Sequence, residues 1–411
     1  MKTPSAWNMV AANDGRNSGT GNELRPDGLE KFRNDALAQF DPVPEFLVRA
    51  RRFVRLPFPV ALAGLWSPAD KMSTRPTAMP HTPHPFARFV AILGRGRHLS
   101  RPLTIEEAEE AMAMILRGEV LPEQLGAFLM LLRVKEESGA EIAGFVKAVR
   151  QSLHALPHNL AQVDWSSYAG KKRQLPWFLL AALCLAQNGH GVFMHGFDGH
   201  TAGRLYTGEV LRAMGLAPAK NFDEAAAQLA RQKFAYLDLV HISPPLARMM
   251  GFKRILGLRS PVHTLSRMIN PFAAPCLLQG IFHPNYMATH RDAALLLGER
   301  NMAVFRGEGG EIERRPGKPC ETLGTRNGEA FDERWPPLIE EPRQLPDEAM
   351  DLSRLLAVWR GEVRDVYGEA AVTGTLAIAL RTMGLAPDQP SAQAGAQEFW
   401  DARDPQNLIA A

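Results

Sequence analysis

The sequence predicts an α/β protein with a separate, smaller all-helical domain ahead of it. From Leu103 to Leu153 apolar residues recur at three- and four-residue spacing without a strand-like run. From Ala161 onward short β-like runs (AQVDW, GVFMH, AYLDL, NMAVF) alternate with helical stretches, the pattern of a largely parallel sheet layered with helices. With 411 residues, 45% apolar and 22% charged, the chain is long enough for two or three domains with a sizeable core.

Residues 1–83 are heterogeneous. NDGRNSGTGNELRPDG has loop composition, PEFLVRARRFVRLPFPVALAGLW is basic and amphipathic, and SPADKMSTRPTAMPHTPHP has the composition of a linker. We expect an extension here that is disordered or precedes the native start, with Met72 opening a plausible shorter chain. The helical domain should occupy 84–155 and the α/β domain 160–411.

Within the helical domain LTIEEAEEAMAMILRGEVLPEQLGAFLMLLRVKEESGAEIAGFVKAVRQSL reads as three helices. Thr104 followed by Glu107 is a capping box, and Ala108, Met112, Ile115 and Leu116 keep helical spacing. Gly118 should end the first helix, Pro122 should sit in the first turn of the second, and Gly139 should break the chain before the third. LPWFLLAALCLAQNG reads as a buried helix, since no apolar run reaches the roughly 18–20 residues of a membrane span. After GEGGEIERRPG we expect an acidic loop with Pro336, Pro337 and Pro346, then two final helices, Pro346 to Tyr367 and Ala370 to Met383.

Cys184, Cys276 and Cys320 lie far apart with no CxxC, which predicts a reducing compartment and no structural zinc. No charged start with an apolar core opens the chain, so we expect a cytoplasmic protein without a membrane partner. The net charge of +3 is unremarkable, but its distribution is uneven. With 44 acids in the chain, about six are expected between Leu239 and Arg291, and there are none. That stretch holds Arg248, Lys253, Arg254, Arg259, Arg267 and Arg291. A second acid-free run, Trp165 to Phe197, contains Lys171, Lys172 and Arg173. Burial explains FLLAALCLA but not ARMMGFKRILGLRS, because Lys and Arg are rarely buried unpaired. A basic functional surface is expected.

FMHGFDGHTAGR, Phe193 to Arg204, places glycines and histidines around one aspartate between an apolar run and a helix, where a phosphate is commonly received. His195 and His200 stand five apart without a third ligand, so no metal is expected on them.

The helical segment, GLRSPVHTLSRMINPF and VLRAMG together resemble the anthranilate phosphoribosyltransferase family, glycosyltransferase family 3, from about Phe86 to the C-terminus. The resemblance implies a nucleoside phosphorylase/phosphoribosyltransferase-like fold, a small helical domain hinged to a larger α/β domain with the site between, and a homodimer. It also implies a Gly-Thr-Gly-Gly-Asp diphosphate loop, which here reads SSYAGKKR. Only Gly170 remains, with Tyr168 and Lys171 in place of small residues. The family's Lys-His-Gly-Asn turn matches at His195 and Gly196, but Met194 and Phe197 replace the lysine and asparagine. Gly170, His195 and Gly196 thus read as a former phosphate turn. The magnesium-holding Asp-Glu pair falls in GEGGEIERRP, where Glu311 matches one member and Glu308 and Glu313 lie near but not adjacent. The arginine that binds anthranilate matches Lys253, which lacks a planar fork.

YAGKKRQLPWFLLAALCLAQNG…FMHG…HTAGRLYT resembles the YbiB-like branch of that family, which implies binding to nucleic acid. On that reading Lys171, Lys172, Arg173, Lys253, Arg254 and Arg259 contact a phosphate backbone without sequence choice. Tyr168, together with Trp165, Trp177 and Phe197, stacks on the bases of a single strand. No catalytic residue, metal or cofactor is assigned. The alternative is an active glycosyl or phosphoribosyl transferase with an altered acceptor, using Mg2+ through Glu308, Glu311 and Glu313. DNA and RNA are not distinguished.

Overall fold

The computed structural model describes residues 82–409, apart from 154–155, 158, 200, 341–345 and 348. The expected extension therefore lies outside the described residues, except for its last two positions, as do Met72 and His200.

The first four helices are α1 (Ala87–Gly94), α2 (Ile105–Leu116), α3 (Pro122–Lys135) and α4 (Gly139–Ser152). α2 begins as expected: the Thr104 hydroxyl accepts from Glu107 N while the Glu107 carboxylate accepts from Thr104 N. Arg101 grips the same carboxylate and holds it well below the usual range, at about 2. Gly118 follows α2 with φ +76°, a left-handed conformation that suits glycine. Pro122 opens α3. Gly139 is the first residue of α4 rather than a break, because Ser138 caps that helix and Glu141 completes the box.

The α/β part follows as β1 (Val163–Ser167), α5 (Trp177–Gln187), β2 (Val192–Gly196), α6 (Thr207–Ala213), α7 (Phe222–Gln232), β3 (Phe234–Asp238), α8 (Leu239–Ile242), α9 (Pro244–Met250), α10 (Lys253–Leu256), α11 (Val262–Leu265), β4 (Cys276–Ile281), α12 (Tyr286–Leu297), β5 (Asn301–Arg306), β6 (Cys320–Arg326), β7 (Glu329–Trp335), α13 (Ser353–Trp359), α14 (Val366–Thr382) and α15 (Gln389–Ala402). The strand order is β3-β2-β1-β4-β5-β6-β7. β1 to β5 pair in parallel, and β6 and β7 add antiparallel. The order reverses between β1 and β4, so the carboxyl ends of these strands border the crevice where such sheets receive ligands.

CLLQGI adds a strand, β4, to the four β-like runs read from the sequence. Two further expectations change. The expected acidic loop contains the β6–β7 hairpin, whose exposed face carries the acids. The long penultimate helix is divided at Gly361, φ +74°, and a last helix follows residue 388.

Alternate strand residues feed two cores. Phe193, Leu237, Leu277, Met302 and Val304 join the helical domain's core, while Met194, Tyr236, Leu278, Ala303 and Phe305 meet α5 and α14 on the other face. The helical domain is thus packed continuously onto one face of the sheet. Its own helices meet at Gly144, where an added Cβ would stand 2.3 Å from Ile105 O and 2.7 Å from Ala108 Cβ. Neither backbone nor Ala108 can yield cheaply. Gly144→Ala should therefore cost about 1–3 kcal/mol of stability as overpacking. Gly126→Ala, with open space around it, should be neutral or better in the same denaturation series.

Candidate functional site

The turn after β1 runs Tyr168-Ala169-Gly170-Lys171. Its amides point inward onto one carboxylate. Glu311 Oε1 accepts from Ala169 N at 2.7 Å and Gly170 N at 2.5 Å, and Oε2 accepts from Ser167 Oγ at 2.8 Å. The side chain is 1% exposed. Successive amides around an anion form the kind of nest that elsewhere cradles phosphate. Here the protein fills it with its own carboxylate. Gly170, at φ +69°, supplies the turn.

One step further along, Lys171 Nζ donates to Glu313 Oε1 at 2.5 Å, and Glu313 Oε2 accepts from Phe178 N at 3.0 Å near the start of α5. Both side chains are buried. Burial pushes the Glu313 carboxyl up to about 7, with Lys171 and Phe178 N pulling the other way. Glu311 and Glu313 thus have their oxygens committed to the chain itself. Two carboxylates facing one hydrated magnesium is not what this geometry offers. Among the described residues, no three His, Cys, Asp or Glu side chains converge in a way that would hold a metal.

His195, in β2, is buried and bonded through both ring nitrogens, to Tyr168 Oη at 2.7 Å and Asp164 Oδ1 at 3.1 Å. Gly196 ends that strand against Ser167 O, where an added Cβ would stand at 2.1 Å. Beyond β2, Asp198 accepts from Gly208 N and Tyr236 Oη, its carboxyl raised by burial and by Asp238.

These placements correct several expectations. Lys171 is 2% exposed and ion-paired, so it does not present its charge to a backbone. Tyr168 is 1% exposed, with its hydroxyl on His195 and the Arg267 guanidinium 5.8 Å from its ring, so it is not a stacking platform. Trp165 and Trp177 are core residues, and Phe197 is half-buried.

The rest of the basic cluster does face solvent. Lys172 and Arg173 are exposed and line a cleft of about 410 Å³ with Arg204, Arg306 and Arg315. Glu308 is the carboxylate on its wall. Arg204 donates to Ala169 O and Gly170 O, both at 2.9 Å, anchoring its side chain beside the filled nest. Among the described residues, none of these five cations forms an ion pair. Arg259 and Lys253 lie close enough to Arg204 to be lowered by it, burial being the larger cause for each. Lys253 Nζ donates to Thr201 Oγ1 at 2.9 Å. Arg254 is exposed on α10 and lines neither this cleft nor its neighbour. Arg204, Arg306 and Arg315 escaped the sequence reading because none of them lies in either acid-free basic stretch. Arg306 ends β5, while Arg204 and Arg315 stand in the loops after β2 and β5.

A smaller pocket, about 130 Å³, opens between α3, α11 and α12, lined by Arg133, Glu137, Arg259, Ser260, Arg267 and Tyr286 among others. Phe282, after β4, is 49% exposed and borders both pocket and cleft.

Residues 89–153 match the family described as glycosyl transferase family, helical bundle domain. The chain is 27% identical over 236 residues to the uncharacterized protein YbiB of Escherichia coli K12, covering 56% of this chain and 73% of that one. It is 32% identical over 219 residues to an anthranilate phosphoribosyltransferase of Moorella thermoacetica, covering 52% of this chain and 62% of that one. A crystal structure of the anthranilate phosphoribosyltransferase of Thermus thermophilus superposes with TM-score 0.66 at 21% identity, over 79% of this chain and 96% of that one, a likeness of fold.

The filled nest makes a prediction. Glu311→Ala should lose about 1.5–3 kcal/mol, the scale of hydrogen bonds to a charged group. Inorganic pyrophosphate should restore part of it by occupying the vacated amides, raising the melting midpoint of the variant more than that of the native chain. Thermal melts with and without pyrophosphate check this.

Proposed function

Since the chain belongs to glycosyltransferase family 3, with the anthranilate phosphoribosyltransferase fold and a YbiB-like relative, we propose that it is a nucleic-acid binder built on that scaffold. It holds the phosphate backbone of a single strand without sequence choice. The observation that carries this reading is the cleft lined by Lys172, Arg173, Arg204, Arg306 and Arg315, whose cations have no carboxylate partner among the described residues. Cations that are neither buried nor paired gain most from phosphates, because each contact releases condensed counterions. A cleft of about 410 Å³ at the sheet's switch point, lined by five such cations, suits a chain carrying several phosphates better than a single compact ligand.

The transferase reading is the less favoured one. Phosphate stabilisation is usually the largest catalytic contribution in such transfers. The amides that would provide it are engaged by Glu311. No magnesium-dependent step is derived, since Glu311 and Glu313 are spent on internal contacts.

The test is a fluorescence titration of labelled single-stranded oligonucleotides at several salt concentrations. Replacing Lys172 and Arg173 together by alanine should lower the logarithmic salt slope by about 1.4, roughly 0.7 per lost contact, equally for all sequences. An unchanged slope would remove the cleft from the interface. Lys171→Ala should behave differently. It strands a buried carboxylate and should cost about 3–5 kcal/mol of stability in denaturation rather than a unit of slope.

We further propose a homodimer through the helical domain, supported by the exposed apolar side chains Leu121 and Val134 on and beside α3. Light scattering at micromolar concentration should give twice the chain mass. A monomer mass would refute it.

A further inference from the structure

The small pocket beside the basic cleft holds polar groups that nothing in the fold satisfies. Glu137 is 6% exposed, and its Oε1 accepts from Thr264 Oγ1 at 2.6 Å. Its Oε2 is buried without a hydrogen-bond partner among the described residues, and so is Ser260 Oγ. A buried carboxylate oxygen left unpaired is costly and marks a place where a ligand donor fits. Around it stand Tyr286, whose hydroxyl accepts from Arg133 at 2.7 Å, and Arg267, committed to Gly280 O and His263 O. Phe282 forms the rim. Its ring is 49% exposed, crossed at 82° by the His283 ring and approached by the Arg306 guanidinium at 5.9 Å.

Three features narrow the ligand. The volume, about 130 Å³, lies well below the roughly 300 Å³ at which drug-sized sites begin, so one ring system is its scale. The unpaired carboxylate oxygen calls for N–H donors and disfavours an anion. The exposed aromatic rim calls for a flat face, and it is shared with the cleft that takes the phosphates.

We propose that this pocket receives one splayed-out base of a bound single strand, with Phe282 stacking on it and Glu137 accepting from its amino-bearing edge. Guanine is favoured, because its adjacent N1–H and N2–H₂ donors can both meet a carboxylate. This rests on the nucleic-acid reading given above and adds base choice to it. Splayed bases stacked on aromatics and read on their Watson–Crick edge are the usual way single strands are recognised.

The experiment compares labelled (dT)12 with the same strand carrying one central dG or one central inosine, which keeps N1–H and lacks the 2-amino group. The full chain should bind the dG strand about tenfold more tightly than (dT)12, at the lower end of what a bidentate base contact discriminates. Inosine should give back part of that gain. Glu137→Gln should bring the dG:dT ratio toward one, whereas replacing Lys172 and Arg173 by alanine should weaken both strands and keep the ratio. If dG and dT strands bind the native chain alike, or if Glu137→Gln keeps the ratio, the base pocket is refuted and backbone binding stands. If no strand binds at any salt concentration, the nucleic-acid reading falls and the pocket with it. Should Glu137→Gln fail to fold, the inosine comparison on the native chain decides: equal affinity for the dG and inosine strands would overturn the assignment.

Discussion

The carboxylate of Glu311, held beneath the turn after β1 by two backbone amides and a serine hydroxyl, is the contact on which the arrangement of this site depends. It joins the turn after β1 to the loop after β5, two segments that the sheet only brings near each other. A buried carboxylate is tolerable only when hydrogen-bonded, and amides of a nest are well suited to the task. Once that charge is inside, no further anion can approach the same amides without meeting it. The neighbouring buried pair, Lys171 with Glu313, extends the seam to α5. Such a pair is weak evidence for stability, since desolvation offsets much of its attraction, but removing one member leaves the other uncompensated. The seam therefore fixes which basic residues point inward and which point out. Lys171 goes in. Lys172 and Arg173, next in sequence, go out.

That inversion explains much of what the sequence did and did not disclose. Much of the helical domain was legible, because its information is local: a capping box at Thr104, a proline opening α3, a left-handed glycine after α2; α1 and the cap that starts α4 at Gly139 were not. The fold class was legible too, since strand and helix periodicities alternate. The β6–β7 hairpin was not. Its strands face solvent on one side and carry acids there, so they show little apolar character over their length. Within the site, a run of three consecutive cations read as one surface patch. Whether the first of them is paired depends on Glu313, 142 residues away, and spacing in sequence says nothing of it. Tyr168 likewise read as a stacking residue until β2 placed His195 against its hydroxyl.

The acid-free stretch from Leu239 to Arg291 shows the same limit from the other side. Its lack of Asp and Glu is real, yet two of its basic or polar groups meet carboxylates supplied by distant elements. Thr264 meets Glu137, and Arg267 is buried near enough to Glu311 to be stabilised by it. Arg267 nonetheless sits at about 10, well down from its ordinary value, because burial outweighs that attraction. What remains outward, Arg259 and Lys253, is lowered by burial and by mutual repulsion with Arg204. Cations pressed together in this way are held at an electrostatic cost that an approaching phosphate would relieve.

As nucleic-acid sites, cleft and pocket would divide their work along chemical lines. Cations without partners give attraction that is long-ranged, indifferent to base identity and reduced by salt. A buried, unpaired carboxylate oxygen beside an exposed aromatic ring gives the opposite: short range, dependence on which donors the ligand carries, and little sensitivity to salt. Phe282 lines both cavities, so under the proposed reading one nucleotide would engage both, its phosphate on the arginine side and its base on the Glu137 side. The scaffold's division into a phosphate region and an acceptor region would then persist in altered form. On that reading phosphates would be met outside the nest that Glu311 fills, by the cations lining the cleft beside it. The small pocket, walled on one side by the helical domain, would carry the hydrogen-bonding preference of that arrangement.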